Sequence, residues 1–118
     1  MAGRFRIFGA ELSPYSVKVR AYFRFKQIPH QWIIRSAAVQ EEFNRYAKLP
    51  IIPLVVTPST EGLQDSTLVI ENLETHYPEN SIYPTDTTLN FVSTLLEEFG
   101  DEWGNKWMFH MRWAKEID

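Results

Sequence analysis

The 118-residue sequence contains no cysteine, which excludes a disulfide framework, thiolate metal sites and thiol exchange by its own side chains. It also has no apolar run approaching the ~20 residues that a membrane-spanning helix needs. Twelve basic against 15 acidic side chains give a formal net charge of −3, so nucleic acid is not expected as the main partner. Two arginines by position 6, with no apolar core behind them, argue against a secretory signal and make the cytoplasm the expected location.

The composition of the chain is that of an ordinary globular protein. Hydrophobic residues make up 44% and charged residues 23%, and the length suits one small domain, or one domain plus a fragment. The three histidines are scattered without the spacing of metal ligands, so no metal is expected. There is no glycine-rich phosphate loop.

Alternating and β-rich segments predict four strands, with capped amphipathic segments between them. Strands are predicted at residues 4–10, 30–35, 51–56 and 63–64, and helices at 14–28, 36–48 and 66–77. The first helix is ambiguous, because residues 17–26 also alternate as a strand would. Ser13 before Pro14 is a good N-cap and first-turn pair and favours the helix. The order β-α-β-α-β-β-α predicts an α/β sheet with helices packed on it.

The last segment is rich in aromatic residues. Three of the four tryptophans lie at positions 103–113, and apolar side chains recur at helical spacing from Leu89 onwards. So large an apolar area, at ~25 cal/mol per Å², needs a cover. The segment could fold back on the sheet, pack on another subunit, or lack its natural partner, and the last two interpretations are favoured.

Four short motifs carry a family resemblance. Ser13-Pro14-Tyr15-Ser16 has the shape of the Cys-Pro-Tyr-Cys tetrapeptide of thioredoxin-like proteins, with oxygen in place of both sulfurs. It is followed by Val17-Lys18-Val19-Arg20, and then by Ile28-Pro29, Ile52-Pro53-Leu54 and Asp65-Ser66. In this order and spacing the motifs resemble the N-terminal, thioredoxin-like domain of cytosolic glutathione transferases, over about residues 4–84.

The resemblance implies a thioredoxin-like domain with a four-stranded mixed sheet at residues 1–84. Residues 85–118 would then be the incomplete start of a helical domain. It further implies that the chain binds glutathione as co-substrate, activates its thiolate for conjugation to a small electrophile, and forms a homodimer. The alternative is a non-catalytic glutathione-transferase-like module for interaction or dimerisation, since this fold also hosts binding proteins. Activity of this chain alone is left open.

By the resemblance, Ser13 is the hydroxyl that stabilises the glutathione thiolate. Other branches use a tyrosine in the first strand, where this chain has Phe8. A serine before a proline is also a common helix N-cap, and the two roles remain alternatives. Tyr15 is expected to line the site or to be structural, and Ser16 likewise.

The resemblance also implies which residues bind the rest of glutathione. Pro53 would follow a cis bond, so that the backbone of Ile52 pairs with the cysteinyl unit as an added strand. Ser66 would take the γ-glutamyl carboxylate and Asp65 the ammonium, at a helix N-terminus. The glycine carboxylate lacks its usual partner, because Ile51 stands at that position, and Arg35 or Lys48 could substitute.

Overall fold

A computed structural model describes residues 3–115. The chain divides into two compact units, the first ending at Asn80 and the second beginning at Ser81. Among the helices within the described residues, none combines the length and the apolar character needed to cross a bilayer.

The first unit contains a single mixed sheet of four strands. The strands are β1 (Phe5–Gly9), β2 (His30–Ile34), β3 (Leu54–Val56) and β4 (Gly62–Gln64). Their spatial order is β2-β1-β3-β4, with β2 parallel to β1 and the other neighbours antiparallel. This confirms the predicted mixed sheet. The third strand was predicted from residue 51 but begins at Leu54, since Pro53 has no N–H to donate to a ladder.

Three helices pack on this sheet. They are α1 (Pro14–Phe25), α2 (Gln40–Tyr46) and α3 (Ser66–His76). In α1 the buried side chains are Ser16, Val19, Tyr22 and Phe23, which is helical spacing and resolves the ambiguity of this segment. The helix predicted from Ser36 starts later: a 3₁₀ turn, Ala37–Val39, precedes α2, and Ser36 makes no side-chain cap.

The core lies on both faces of the sheet because successive strand residues point to opposite sides. Ile7 and Val55 pack with α1 and α3 on one face. Phe8, Leu54 and Phe43 form the smaller cluster under α2 on the other face, where the Phe8 and Phe43 rings meet edge to face at 5.9 Å.

The second unit is helical. It comprises α4 (Thr87–Glu98), a π-helical segment (Phe99–Gly104) and α5 (Asn105–Trp113). Asp86 caps α4 by accepting a hydrogen bond from Leu89 N at 2.9 Å. None of its helical residues is buried. Its exposed large apolar side chains include Leu95, Leu96, Trp103, Trp107 and Trp113.

Candidate functional site

One edge of the sheet gathers most of the predicted site residues. Gly9 pairs with Ile34, and Phe8 and Gln64 both pair with Leu54. The ends of β1, β2 and β4 therefore meet the start of β3 at the same edge. We call this edge, with the adjoining residues 10–13, 35, 48–53 and 65–66, the site edge.

Ser13 lies at the start of α1 on the site edge. Its backbone is extended, and its Oγ accepts a hydrogen bond from Ser16 N at 3.2 Å, so it caps the helix. Among residues 3–115, no acceptor is found for its hydroxyl proton. Ser13 can therefore cap α1 and still donate a hydrogen bond to an anion placed at the positive end of the helix.

The other residues of the tetrapeptide are packed differently. Ser16 is 0% exposed, and its hydroxyl has no hydrogen-bond partner within the described part of the chain. A Cβ on Gly9 would lie 2.8 Å from Ser16 Cβ and 2.5 Å from Trp32 Cη2, so only glycine fits there. Ser16 is thus part of the packing beneath the site edge, whereas Tyr15 is half-buried.

The segment before β3 carries the cis peptide bond, between Ile52 and Pro53. Pro53 is buried and Ile52 is half-buried. Within residues 3–115, neither backbone group of Ile52 hydrogen-bonds to another residue. Its N–H and C=O are therefore available to an extended ligand.

Gln64 organises that segment, a role that the motif analysis missed. Its Oε1 accepts hydrogen bonds from Lys48 N and Leu49 N at 2.9 and 3.0 Å. Its Nε2 donates to Leu49 O and Ile51 O at 2.8 and 2.9 Å. One amide thus satisfies four backbone groups ahead of Pro53. The available signal was a glutamine at the end of a short strand, directly before the Asp65-Ser66 pair.

The start of α3 is the second polar feature of the site edge. Asp65 is its N-cap, with a positive φ of 74°, and its Oδ1 accepts hydrogen bonds from Thr67 N and Leu68 N at 3.1 and 3.4 Å. Val69 N donates to Asp65 O at 2.9 Å. Of the first four N–H groups of the helix, the one left without a partner in the described chain is that of Ser66.

Lys18 of α1 reaches this helix start from across the unit. Its Nζ donates hydrogen bonds to Ser66 Oγ at 3.3 Å and to Thr67 Oγ1 at 3.2 Å. The sequence motif contained Lys18, but the 48-residue separation from Ser66 concealed this contact.

The two cations proposed for the glycine carboxylate also lie at the site edge. Arg35 Nη1 donates to Pro50 O at 3.0 Å, and the guanidinium lies 4.3 Å from the centre of the Phe43 ring. The other N–H groups of the Arg35 guanidinium can donate a further hydrogen bond. The side chain of Lys48 is exposed, and its backbone N is held by Gln64.

An ion pair braces the loop that leads to Ser13. Arg20 donates two hydrogen bonds to the Glu11 carboxylate at 2.6 and 2.7 Å, and its guanidinium lies over the Trp32 ring at 4.2 Å. The hydrogen bond from Arg20 lowers the pKa of the Glu11 carboxyl. The loop therefore carries a charge-assisted link to α1.

The fold and the site edge define a thioredoxin-like domain. Residues 7–81 match the family model of the glutathione S-transferase N-terminal domain, and the chain belongs to the glutathione S-transferase family. It is 28% identical over 100 residues to pyrimidodiazepine synthase of Drosophila melanogaster, covering 81% of this chain and 41% of that protein.

Solved structures share this fold. A glutathione S-transferase of Methylobacterium radiotolerans, in complex with glutathione sulfonate, has a TM-score of 0.74 at 24% identity over 83% of this chain and 47% of that one. A glutathione S-transferase of Methylobacillus flagellatus with glutathione bound has a TM-score of 0.69 at 26% identity, over 82% and 48%. A Tau class enzyme of mango has a TM-score of 0.74 at 14% identity, over 100% and 54%. The chain spans about half the length of these relatives.

Proposed function

We propose that this chain binds glutathione along the site edge and activates its thiol for conjugation to an electrophile. The observation that carries the proposal is the Ser13 hydroxyl, which caps α1 and keeps its proton for an anion. Membership of the family supports it, as does the glutathione bound in the Methylobacillus flagellatus relative.

The energetics of the thiol are within reach of this arrangement. A free thiol has a pKa of about 8.5, so only a few per cent is thiolate at pH 7. Lowering the pKa by ~2 units requires about 2.7 kcal/mol in favour of the anion. A hydrogen bond from a hydroxyl to a charged acceptor supplies ~1.5–3 kcal/mol. A helix N-terminus adds ~0.3–1 kcal/mol.

The remainder of the tripeptide is assigned along the same edge. The cysteinyl backbone pairs with the free N–H and C=O of Ile52, like an added strand. The γ-glutamyl carboxylate takes the unpartnered N–H and the hydroxyl of Ser66, and Asp65 takes the ammonium through the carboxylate oxygen not used as cap. Arg35 or Lys48 faces the glycine carboxylate.

In the proposed reaction the thiol proton passes to solvent and Ser13 donates a hydrogen bond to the thiolate sulfur. The sulfur lone pair then forms a bond to the electrophilic carbon, and the electron pair displaced from that carbon leaves with its group or takes up a proton. Ser13 is the catalytic residue in this scheme, because its hydroxyl touches the reacting sulfur.

The test removes the hydroxyl while preserving the cap. Ser13→Gly keeps most of the helix stability, since glycine costs only a few tenths of a kcal/mol at an N-cap. We expect it to raise the pKa of bound glutathione by about 1–2 units, measured as thiolate absorbance. Ser13→Thr should retain the low pKa, and Ser59→Ala, on an exposed turn, serves as the neutral control. An unchanged pKa in Ser13→Gly with intact binding would return Ser13 to the role of cap alone.

A second candidate function is favoured by the exposed apolar side chains of α4 and α5. They fit a non-catalytic module that associates through these side chains, the homodimer being the simplest case. Sedimentation of the 118-residue chain together with a glutathione titration distinguishes the candidates, because a dimer without glutathione affinity supports the module alone. The cytoplasmic location remains a prediction from the sequence.

A further inference from the structure

A cavity of about 330 Å³ lies at the other end of the strands from the site edge. Phe5 begins β1 and Thr57 directly follows β3, and both line the cavity together with Tyr77, which directly follows α3. The described residues that line it all belong to the first unit. Pockets for small organic ligands measure about 300–1,000 Å³, so a cavity of this size favours a ligand with a single ring.

The floor of the cavity is apolar and aromatic. Phe5 and Leu73 are buried members of the larger core cluster, and Tyr77 packs against that cluster. The rings of Phe5 and Tyr77 meet edge to face, with their centroids 6.4 Å apart. Aromatic rings attract other rings in this geometry, and their faces attract cations.

The rim carries a carboxylate on the turn between β3 and β4. The backbone of Glu61 is fixed there, because its N–H donates to Thr57 Oγ1 at 3.0 Å and its C=O accepts from Thr57 N at 2.9 Å. The side chain of Glu61 is exposed and forms no ion pair with another residue in the range 3–115. The turn therefore presents an unpaired negative charge to the cavity.

The last turn of α3 lines the cavity as well, and it offers a further acceptor. His76 Nδ1 lies 2.9 Å from the carbonyl oxygen of Asn72, which can only accept, so Nδ1 carries a proton. In the neutral ring, Nε2 then has a lone pair for a donor. The C-terminal end of a helix is also its negative pole, which favours a cation.

The described residues that line the cavity include no lysine or arginine. Arg6 follows Phe5 in β1 and points to the opposite face of the sheet. There it forms an ion pair with Glu42 and lies 4.9 Å from the centre of the Tyr46 ring. The cavity thus combines an aromatic floor with a rim of negative potential.

We propose that this cavity is a second binding site, which takes a primary ammonium group attached to an aromatic ring. The ring of the ligand packs on Phe5 and Tyr77. The ammonium donates to the Glu61 carboxylate, with His76 Nε2 as a further acceptor. This site lies away from the site edge, so the proposal does not rest on glutathione binding.

The experiment titrates the 118-residue chain with benzylammonium and with benzyl alcohol, its neutral counterpart. Binding is followed by the amide signals of Leu73 and Tyr77 in two-dimensional NMR spectra at about pH 8, where imidazole is neutral. We expect both signals to shift, and benzylammonium to bind about fivefold more tightly than benzyl alcohol, as an exposed ion pair allows.

Two variants assign the preference to one carboxylate. Glu61→Gln removes the charge and keeps the shape, and should lower the affinity for benzylammonium about fivefold, to that of benzyl alcohol. Glu71→Gln removes an exposed carboxylate of α3 that does not line the cavity, and should change neither affinity. Both substitutions alter exposed side chains, and the same spectra report whether each variant is folded.

Equal affinities for the two ligands, or equal losses in Glu61→Gln and Glu71→Gln, would overturn the ammonium site. Signals that shift only at the site edge, or no shifts at millimolar ligand, would overturn binding in this cavity altogether. Each of these outcomes leaves the proposed binding of glutathione untouched.

Discussion

Lys26, the residue directly after α1, forms a buried ion pair with Glu74 of α3. Removing this pair tests how strongly it stabilises the fold. The Lys26 Nζ and Glu74 Oε1 atoms are 2.8 Å apart, with side chains 2% and 7% exposed. The Tyr22 hydroxyl donates to the same Oε1 at 2.8 Å. Lys26 also donates to Glu79 O at 2.6 Å and Asn80 O at 3.3 Å, so three acceptors surround its three N–H groups.

Replacing Lys26 by methionine removes the cation of the pair, while the Glu74 carboxylate stays buried. Breaking a buried pair from one side costs about 3–5 kcal/mol, because the surviving charge stays desolvated. For a chain of this size we expect the melting temperature to fall by about 10–25 °C. The measurement is thermal and urea unfolding followed by circular dichroism.

Two further variants make the reasoning quantitative. Lys26→Met combined with Glu74→Leu should be more stable than Lys26→Met alone, since the double variant buries neither charge of the pair. Arg45→Met removes one partner of an exposed pair whose atoms, on Arg45 and Glu41, are 3.8 Å apart, and should cost less than about 1 kcal/mol.

The reasoning is refuted if Lys26→Met costs no more than Arg45→Met. It is equally refuted if the double variant loses as much stability as Lys26→Met and Glu74→Leu lose separately when added together. Such additivity would mean that the two charges do not interact.

Two other predictions concern the site edge. Gln64→Leu removes four hydrogen bonds to the backbone of residues 48–51 and should cost about 2 kcal/mol in urea unfolding and weaken glutathione binding; unchanged stability would contradict the bracing role. Because the pKa of Glu11 is lowered by Arg20, its stabilisation is present above the ordinary carboxyl pKa of about 4.3 and is lost as the pH falls through the lower folded value. The difference in melting temperature between wild type and Glu11→Gln should therefore shrink below about pH 4, and a constant difference between pH 7 and pH 3 would argue against it.

The features that the sequence could predict are those decided by neighbouring residues. Ser13 before Pro14 marks a helix start because a cap and a preset φ act within one turn. The strand alternation in β1 and the short motifs were sufficient for the order of elements and for the mixed sheet. Even here, the third strand was predicted three residues too early, and a 3₁₀ turn at Ala37–Val39 went unnoticed.

The candidate site was predicted in its separate pieces, but not in the contacts that hold it. Ser13, Ile52 and Ser66 were identified from their motifs, and their meeting at one edge follows from the strand register, which pairs Phe8 and Gln64 with Leu54. Gln64 escaped notice because its function lies in four backbone contacts that no short pattern encodes.

Residue type and local spacing are sufficient to establish the absence of a thiol, the helix start at Ser13 and the period of the strands. The contact of Lys18 with Ser66 and the burial of Lys26 against Glu74 result from tertiary packing, because each pair is separated by 48 residues along the chain. Contacts of that kind exist only after α1 and α3 have packed on the same face of the sheet, and their energies depend on the burial that this packing creates.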